Sequence, residues 1–168
     1  MEPIIVIITG LPGTGKTTLA SSLAREIGAA HLNTDIIRGQ LGKKGRYDAE
    51  SKQAIYDEML RQTENLLRHR ESVIIDGTFY KESLRRPFME TARRFGKEVR
   101  WIELYAEETA IRQRVEKARP DTEADFTVYL KIKEQYEPLE GARLTLRSDQ
   151  LTIQEMTERA KDFIMLPV

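Results

Sequence analysis

The 168 residues contain no cysteine, two histidines and a single tryptophan. Without thiols there is no disulfide, no thiolate nucleophile and no cysteine-based zinc site, and two histidines cannot build a metal cluster alone. The chain also lacks a charge of one sign: 27 basic residues balance 27 acidic ones. No long-range field therefore gathers nucleic acid or anionic membrane, and any polyanion site has to be a local patch. Charges interrupt every apolar run well short of the about 20 residues a membrane span needs. Met1-Glu2-Pro3 leads directly into a short apolar run, without a basic leader or a small-residue cleavage site. The expectation is a cytoplasmic protein with no membrane association and no obligate protein partner.

What the sequence has is alternation of strands and helices. Ile4–Ile8 is a continuous β-branched run, the pattern of a strand buried on both faces, and Leu19, Leu23 and Ile27 then recur at helical spacing. Further strands are expected at Ala30–Thr34, Val73–Ile75, Val99–Tyr105 and Arg143–Leu146. Helices are expected through Ile36, Ile37 and Leu41, over Ala49–Arg70, over Lys81–Phe95 with a kink at Pro87, over Glu107–Arg119, from about Asp125 to Tyr136, and over Ile153–Ile164. This order predicts an α/β fold: a five-stranded parallel sheet with helices on both faces, residues 1–168 forming one domain, ligands gathering at the carboxyl ends of the strands.

The first strand runs into Gly10-Leu11-Pro12-Gly13-Thr14-Gly15-Lys16-Thr17, which matches the phosphate-binding pattern G-x-x-x-x-G-K-[ST] between a strand and a helix. Gly10, Gly13 and Gly15 let backbone amides turn inward around phosphates, with Thr14 and Thr18 beside them, and the helix amino terminus adds positive potential. Lys16 is placed to bridge the outer phosphates and Thr17 to ligate magnesium. Ile74-Ile75-Asp76 is an apolar strand ending in a carboxylate, the form of the element that holds the same magnesium, or else an Asp capping the next turn. Gly77-Thr78-Phe79 follows where hydrolytic ATPases commonly carry a water-polarising glutamate, and no Asn-Lys-x-Asp guanine-reading motif is present. The expected ligands are ATP and Mg2+, in a P-loop NTPase fold.

In motif order and spacing, Gly10–Thr17, Asn33-Thr34-Asp35-Ile36-Ile37-Arg38, Ile74–Thr78 and the arginines between 112 and 119 resemble the polynucleotide-kinase and zeta-toxin-like group of P-loop kinases over nearly the whole chain. The resemblance implies transfer of the terminal phosphate of ATP to a hydroxyl, either on a small molecule or at a nucleic acid 5′ end. It implies that Asp35 accepts the hydroxyl proton, that Arg38 orients the acceptor, and that a small lid over roughly 107–124 closes arginines, Arg114 and Arg119, onto the phosphates. In the polynucleotide kinases two lid arginines four apart are expected, whereas Arg114 and Arg119 are five apart and Arg112 lies seven before Arg119.

Each assignment has a plainer counterpart. Asp35 or Thr34 would serve to cap the helix at Ile36, leaving Arg38 solvated. The lid arginines would pair with Glu107, Glu108 and Glu116 on a surface helix. Arg85 and Arg86 follow the Asp76 strand, where they could meet the acceptor, but are expected on the polar face of their helix, and His31, His69 and Trp101 in core or surface roles. A different class of protein, an ATP-binding regulatory module without acceptor phosphorylation, would leave Asp35 and the lid arginines idle.

Overall fold

The computed structural model describes residues 2–118 and 122–167. Its elements are β1 (Ile5–Gly10), α1 (Lys16–Ile27), β2 (Ala30–Asn33), α2 (Thr34–Gln40), α3 (Ala49–Arg68), β3 (Val73–Asp76), α4 (Glu82–Arg94), β4 (Val99–Tyr105), α5 (Glu108–Ala118), α6 (Thr122–Gln135), β5 (Leu144–Arg147) and α7 (Ile153–Ile164). The five strands pair in the order β2-β3-β1-β4-β5, every pairing parallel. This is the α/β sheet expected from the alternation.

All six residues of β1 are buried, which is why that strand reads as an unbroken apolar run. Ile5 and Ile7 face the layer that includes Ile55 and Met59 of α3 and Phe88 of α4. Val6 and Ile8 face the opposite layer, with Leu19 and Leu23 of α1 and Met156 and Ala160 of α7. The chain leaves β1 toward β2 and β3 on one side and reaches β4 and β5 on the other. The crevice at the carboxyl end of β1 is therefore the switch point where such sheets take ligands.

Local chemistry sets the helix limits. Asn33 caps α2, Asp48 caps α3 through Ser51, and Thr152 with Glu155 forms a reciprocal capping box on α7. Helix α6 begins three residues ahead of the expected Asp125, and α4 runs on through Pro87, whose ring nitrogen has no hydrogen to donate to Ser83 one turn back.

Arg85 corrects a sequence expectation. Rather than lying on a solvated face it is 3% exposed, and its guanidinium donates to the carbonyls of Phe79, Glu137 and Pro138. Its three carbonyl partners belong to segments far apart in sequence, so helical periodicity does not reveal them. Arg86 is exposed and paired with Glu82 one turn away, as its place on α4 predicts. Trp101 is buried in β4, its ring edge-on to Phe79, and Phe79 meets Tyr56 and Phe88 in the same manner. Ile111, Phe126 and Tyr129 form a small separate cluster between α5 and α6. No described helix is long and apolar enough to cross a membrane.

Candidate nucleotide and acceptor site

The loop from β1 to α1 keeps its shape through two crowded glycines. Gly10 has φ 151°, and a Cβ there would sit 2.7 Å from the Leu104 carbonyl oxygen. Gly13 has φ 82°, and its Cβ would meet Ile111 of α5 at 2.9 Å. Thr14 is buried and donates its hydroxyl to the Leu11 carbonyl at 2.8 Å, closing the loop on itself. Gly15 stands at the cap position of α1 in the left-handed conformation and offers no side chain to the first amides. Those amides are left to a ligand, which is how such a loop takes an anion. Thr18 follows on the exposed first turn and lines the same cleft.

Lys16 turns inward and donates to the Leu11 carbonyl at 3.0 Å. Although part of the side chain still touches solvent, burial of the ammonium lowers its pKa to about 8, against the opposing pull of Asp76 and Asp35. A cation destabilised in this way is stabilised by an incoming phosphate.

Asp76 ends β3 with 1% exposure. Its Oδ1 accepts from the Thr17 hydroxyl at 3.0 Å and from the Asn33 amide at 2.9 Å, and its Oδ2 lies 2.5 Å from His31 Nε2. The Asn33 amide also donates to Thr17 Oγ1 at 3.0 Å, while its carbonyl oxygen caps α2 by accepting from the Asp35 and Ile36 amides. Asn33 and His31 are site residues that the sequence reading missed. The parallel register setting Asn33 beside Asp76 and His31 beside Ile74 is a pairing of β2 with β3 that no local motif announces. His31 therefore has a polar role at the site, in place of the core or surface role expected of it.

Because Asn33 supplies the α2 cap, neither Thr34 nor Asp35 does so. The Asp35 side chain is 70% exposed and reaches Arg38 Nη1 at 2.5 Å. Arg38 is buried rather than solvated: its Nε donates to the Arg46 carbonyl, and its guanidinium carbon lies 4.3 Å from the centre of the Tyr47 ring. The plainer reading of this pair is thus corrected on both counts.

On the opposite wall, Arg114 of α5 donates to the Gly13 carbonyl at 3.0 Å and to Ser148. Arg112 instead stacks on Phe126 at 4.0 Å and is not among the residues bordering the cavity. Arg119 lies outside the described residues. Lys16, Thr17, Asp35, Arg38, Asp76 and Arg114 all border one cavity of about 430 Å³. Among the described residues no three His, Cys, Asp or Glu side chains converge as a metal cage. Magnesium does not need one, since it keeps most of its shell as water and phosphate oxygen. Thr17 Oγ1 and Asp76 Oδ1, 3.0 Å apart at the foot of the phosphate loop, are oxygen donors of the kind that ion takes.

The fold is shared with known kinases. A sugar kinase from Janibacter sp. HTCC2649 superimposes with a TM-score of 0.77 at 19% identity, covering 96% of this chain and 94% of that one. The adenosine phosphosulfate (APS) kinase CysC of Mycobacterium tuberculosis, in complex with AMPPNP and APS, gives 0.76 at 16% identity, covering 98% and 99%. In sequence, an uncharacterised protein of Mycobacterium tuberculosis (strain ATCC 25618 / H37Rv) is 34% identical over 93 residues, 48% of this chain. The matched stretch spans only 19% of that relative's length. The AAA domain family matches residues 5–139, from the first buried strand through the cleft to the end of α6 and just beyond. The chain belongs to the AAA domain family, built on the fold of the P-loop kinases.

Proposed function

We propose that the protein transfers the terminal phosphate of ATP to a hydroxyl group of a small molecule. The observation that carries this reading is Asp35: an exposed carboxylate, relieved of helix capping by Asn33, held by buried Arg38 and bordering the cavity that Lys16 enters. A regulatory nucleotide switch has no use for a carboxylate in that position.

The loop amides of 13 and 15–17 and Lys16 hold the phosphates, and Arg114 approaches from α5 to balance charge on the group being transferred. Thr17 and Asp76 would hold magnesium, which neutralises phosphate charge and orients the outer phosphates. Asp35 orients the acceptor hydroxyl and takes its proton as the acceptor oxygen bonds to the terminal phosphorus. The bond from that phosphorus to the bridging oxygen breaks, and ADP leaves. Arg38 keeps the carboxylate at its station. The cavity volume of about 430 Å³ suits the outer phosphates with a compact acceptor better than a polymer end.

The test is to incubate the protein with magnesium and ATP labelled in the terminal phosphate. The acceptors are sugars, polyols, hydroxy acids, nucleosides, aminoglycosides and 5′-hydroxyl oligonucleotides. Label on a small alcohol is the expected result. Label confined to oligonucleotide ends would make the protein a polynucleotide kinase, and label released only to water would return it to the regulatory class.

A further inference from the structure

Among the described residues, four cations and two carboxylates border the cavity: Lys16, Arg38, Lys52 and Arg114 against Asp35 and Asp76. In the reading above, Lys16 and Arg114 face the nucleotide phosphates and Arg38 is committed to Asp35. Lys52 is left over. It lies in the first turn of α3, half-buried, and among the described residues no carboxylate comes within ion-pair distance of it. The contact recorded for its ammonium is the face of the Tyr80 ring, 5.2 Å away. Tyr80 is 7% exposed and borders the same cavity, as do Tyr47 and Tyr56. The other three cations bordering the cavity each have an acid or a backbone carbonyl to answer them, while Lys81, which does not line the cavity, shares the Tyr80 ring from 5.5 Å. An unanswered ammonium on an aromatic floor, in a cavity that also holds the hydroxyl-activating carboxylate, is an arrangement that an anion completes.

We infer that Lys52, above Tyr80, binds an anionic group of the acceptor, so that the substrate is a small hydroxy acid or sugar phosphate rather than a neutral alcohol. Asp35 then receives the hydroxyl end and Lys52 the carboxylate or phosphate end, and the tyrosine rings flank the carbon skeleton between them. The arrangement also selects against neutral sugars, which leave the ammonium without its partner. This inference rests on the hydroxyl-kinase reading of the same cleft.

Matched pairs test it: glycerate with glycerol, gluconate with glucose, and ribose 5-phosphate with ribose, each assayed for label transfer with wild-type protein, K52M and K52R. The acidic member of at least one pair is the better acceptor, and K52M lowers its kcat/KM by about 10- to 100-fold, the loss expected of one charge-assisted contact. K52R keeps most of the preference, and KM for ATP stays as in wild type in both variants. In parallel, the AMPPNP-magnesium complex is titrated calorimetrically with the same three acids, and K52M weakens the binding seen with wild type. Transfer that favours neutral members, or an acid preference untouched by K52M, overturns the subsite while leaving the kinase reading intact. Acid binding lost in K52M without transfer to any acceptor keeps the subsite and overturns the kinase reading. Neither binding nor transfer with any acid overturns the subsite, and transfer confined to 5′-hydroxyl oligonucleotides replaces it with a nucleic acid end.

Discussion

The two walls of the cleft are built differently. On the phosphate side, Thr17, Asn33, His31 and Asp76 form one closed set of hydrogen bonds at the foot of a buried sheet. On the far side, the described residues of the α5–α6 wall give a cluster of three buried residues, against 17 and 13 on the two faces of the sheet. Ile132, farther along α6, joins one of the large cores, and near that end Tyr136 donates to the buried carboxylate of Glu103. Arg85 holds the carbonyls of Glu137 and Pro138 just beyond. One wall is thus fixed in advance, while the other is anchored at one end and thinly packed at the other. Thinly packed elements open at lower free energy than the global fold; in the kinase reading we propose, the phosphate wall serves binding and the α5–α6 wall serves closure.

The largest effect is expected at Lys16. K16A removes the buried cation from the fixed wall and is expected to lower kcat/KM by about 10²- to 10³-fold with the melting temperature little changed. Activity near that of the wild type would mean that the phosphates are held elsewhere.

Two phenylalanines sharpen the contrast next. F88A empties a site in the large core and should cost about 3–5 kcal/mol, whereas F126A should cost clearly less in urea denaturation and show its effect as faster amide exchange in α5 and α6. Equal losses from the two substitutions would make the α5–α6 wall part of one cooperative core.

A smaller effect is expected at Tyr56. Phe79 has φ 42°, unusual for a residue with a side chain. It is held there by its ring contacts, by donation of its amide to the Tyr56 hydroxyl at 3.1 Å and by acceptance from Arg85. Y56F leaves that amide buried without its partner and should destabilise the fold by about 1–3 kcal/mol. An unchanged denaturation midpoint would show that the hydroxyl is dispensable.

The smallest effect is a pH dependence of nucleotide affinity. Lys16, lowered to about 8 by burial, is raised when phosphate arrives, because the charged form gains an anionic partner. Below that pH the lysine is charged in both states and affinity is flat. Above it binding takes up a proton, and affinity falls by at most tenfold per pH unit. Calorimetry at pH 9 in buffers of different ionisation enthalpy should detect the uptake in wild type and lose it in K16M. Affinity independent of pH from 7 to 9.5 would contradict the burial of this lysine.

Much of the fixed wall was legible in the sequence because its geometry is local. A strand, a glycine turn and a helix follow one another without interruption from Ile5 to Ile27, and Asp76 closes a four-residue buried strand. Asn33 and His31 were not legible, since their partners are reached by pairing of β2 with β3 across more than forty residues of sequence. Arg85 was misread for a related reason: helical periodicity identifies a polar face but not the carbonyls of Glu137 and Pro138 that cover it. Asp35 and Arg38 follow from the resemblance, yet the freedom of Asp35 from capping duty depends on Asn33, which only the fold reveals. Lys52 drew no attention, because an unpaired lysine in a helix is the commonest kind of surface residue until the wall opposite it is known.

The most direct test of the account is the D35N variant, assayed for label transfer to its best small-molecule acceptor with ATP affinity measured on the same preparation. ATP affinity is expected to stay close to wild type and transfer to fall by about 10²- to 10⁴-fold, because the site keeps its phosphate wall and loses only the group proposed to take the proton. Transfer near the wild-type rate would contradict the central claim that this exposed carboxylate is the reason for the cleft.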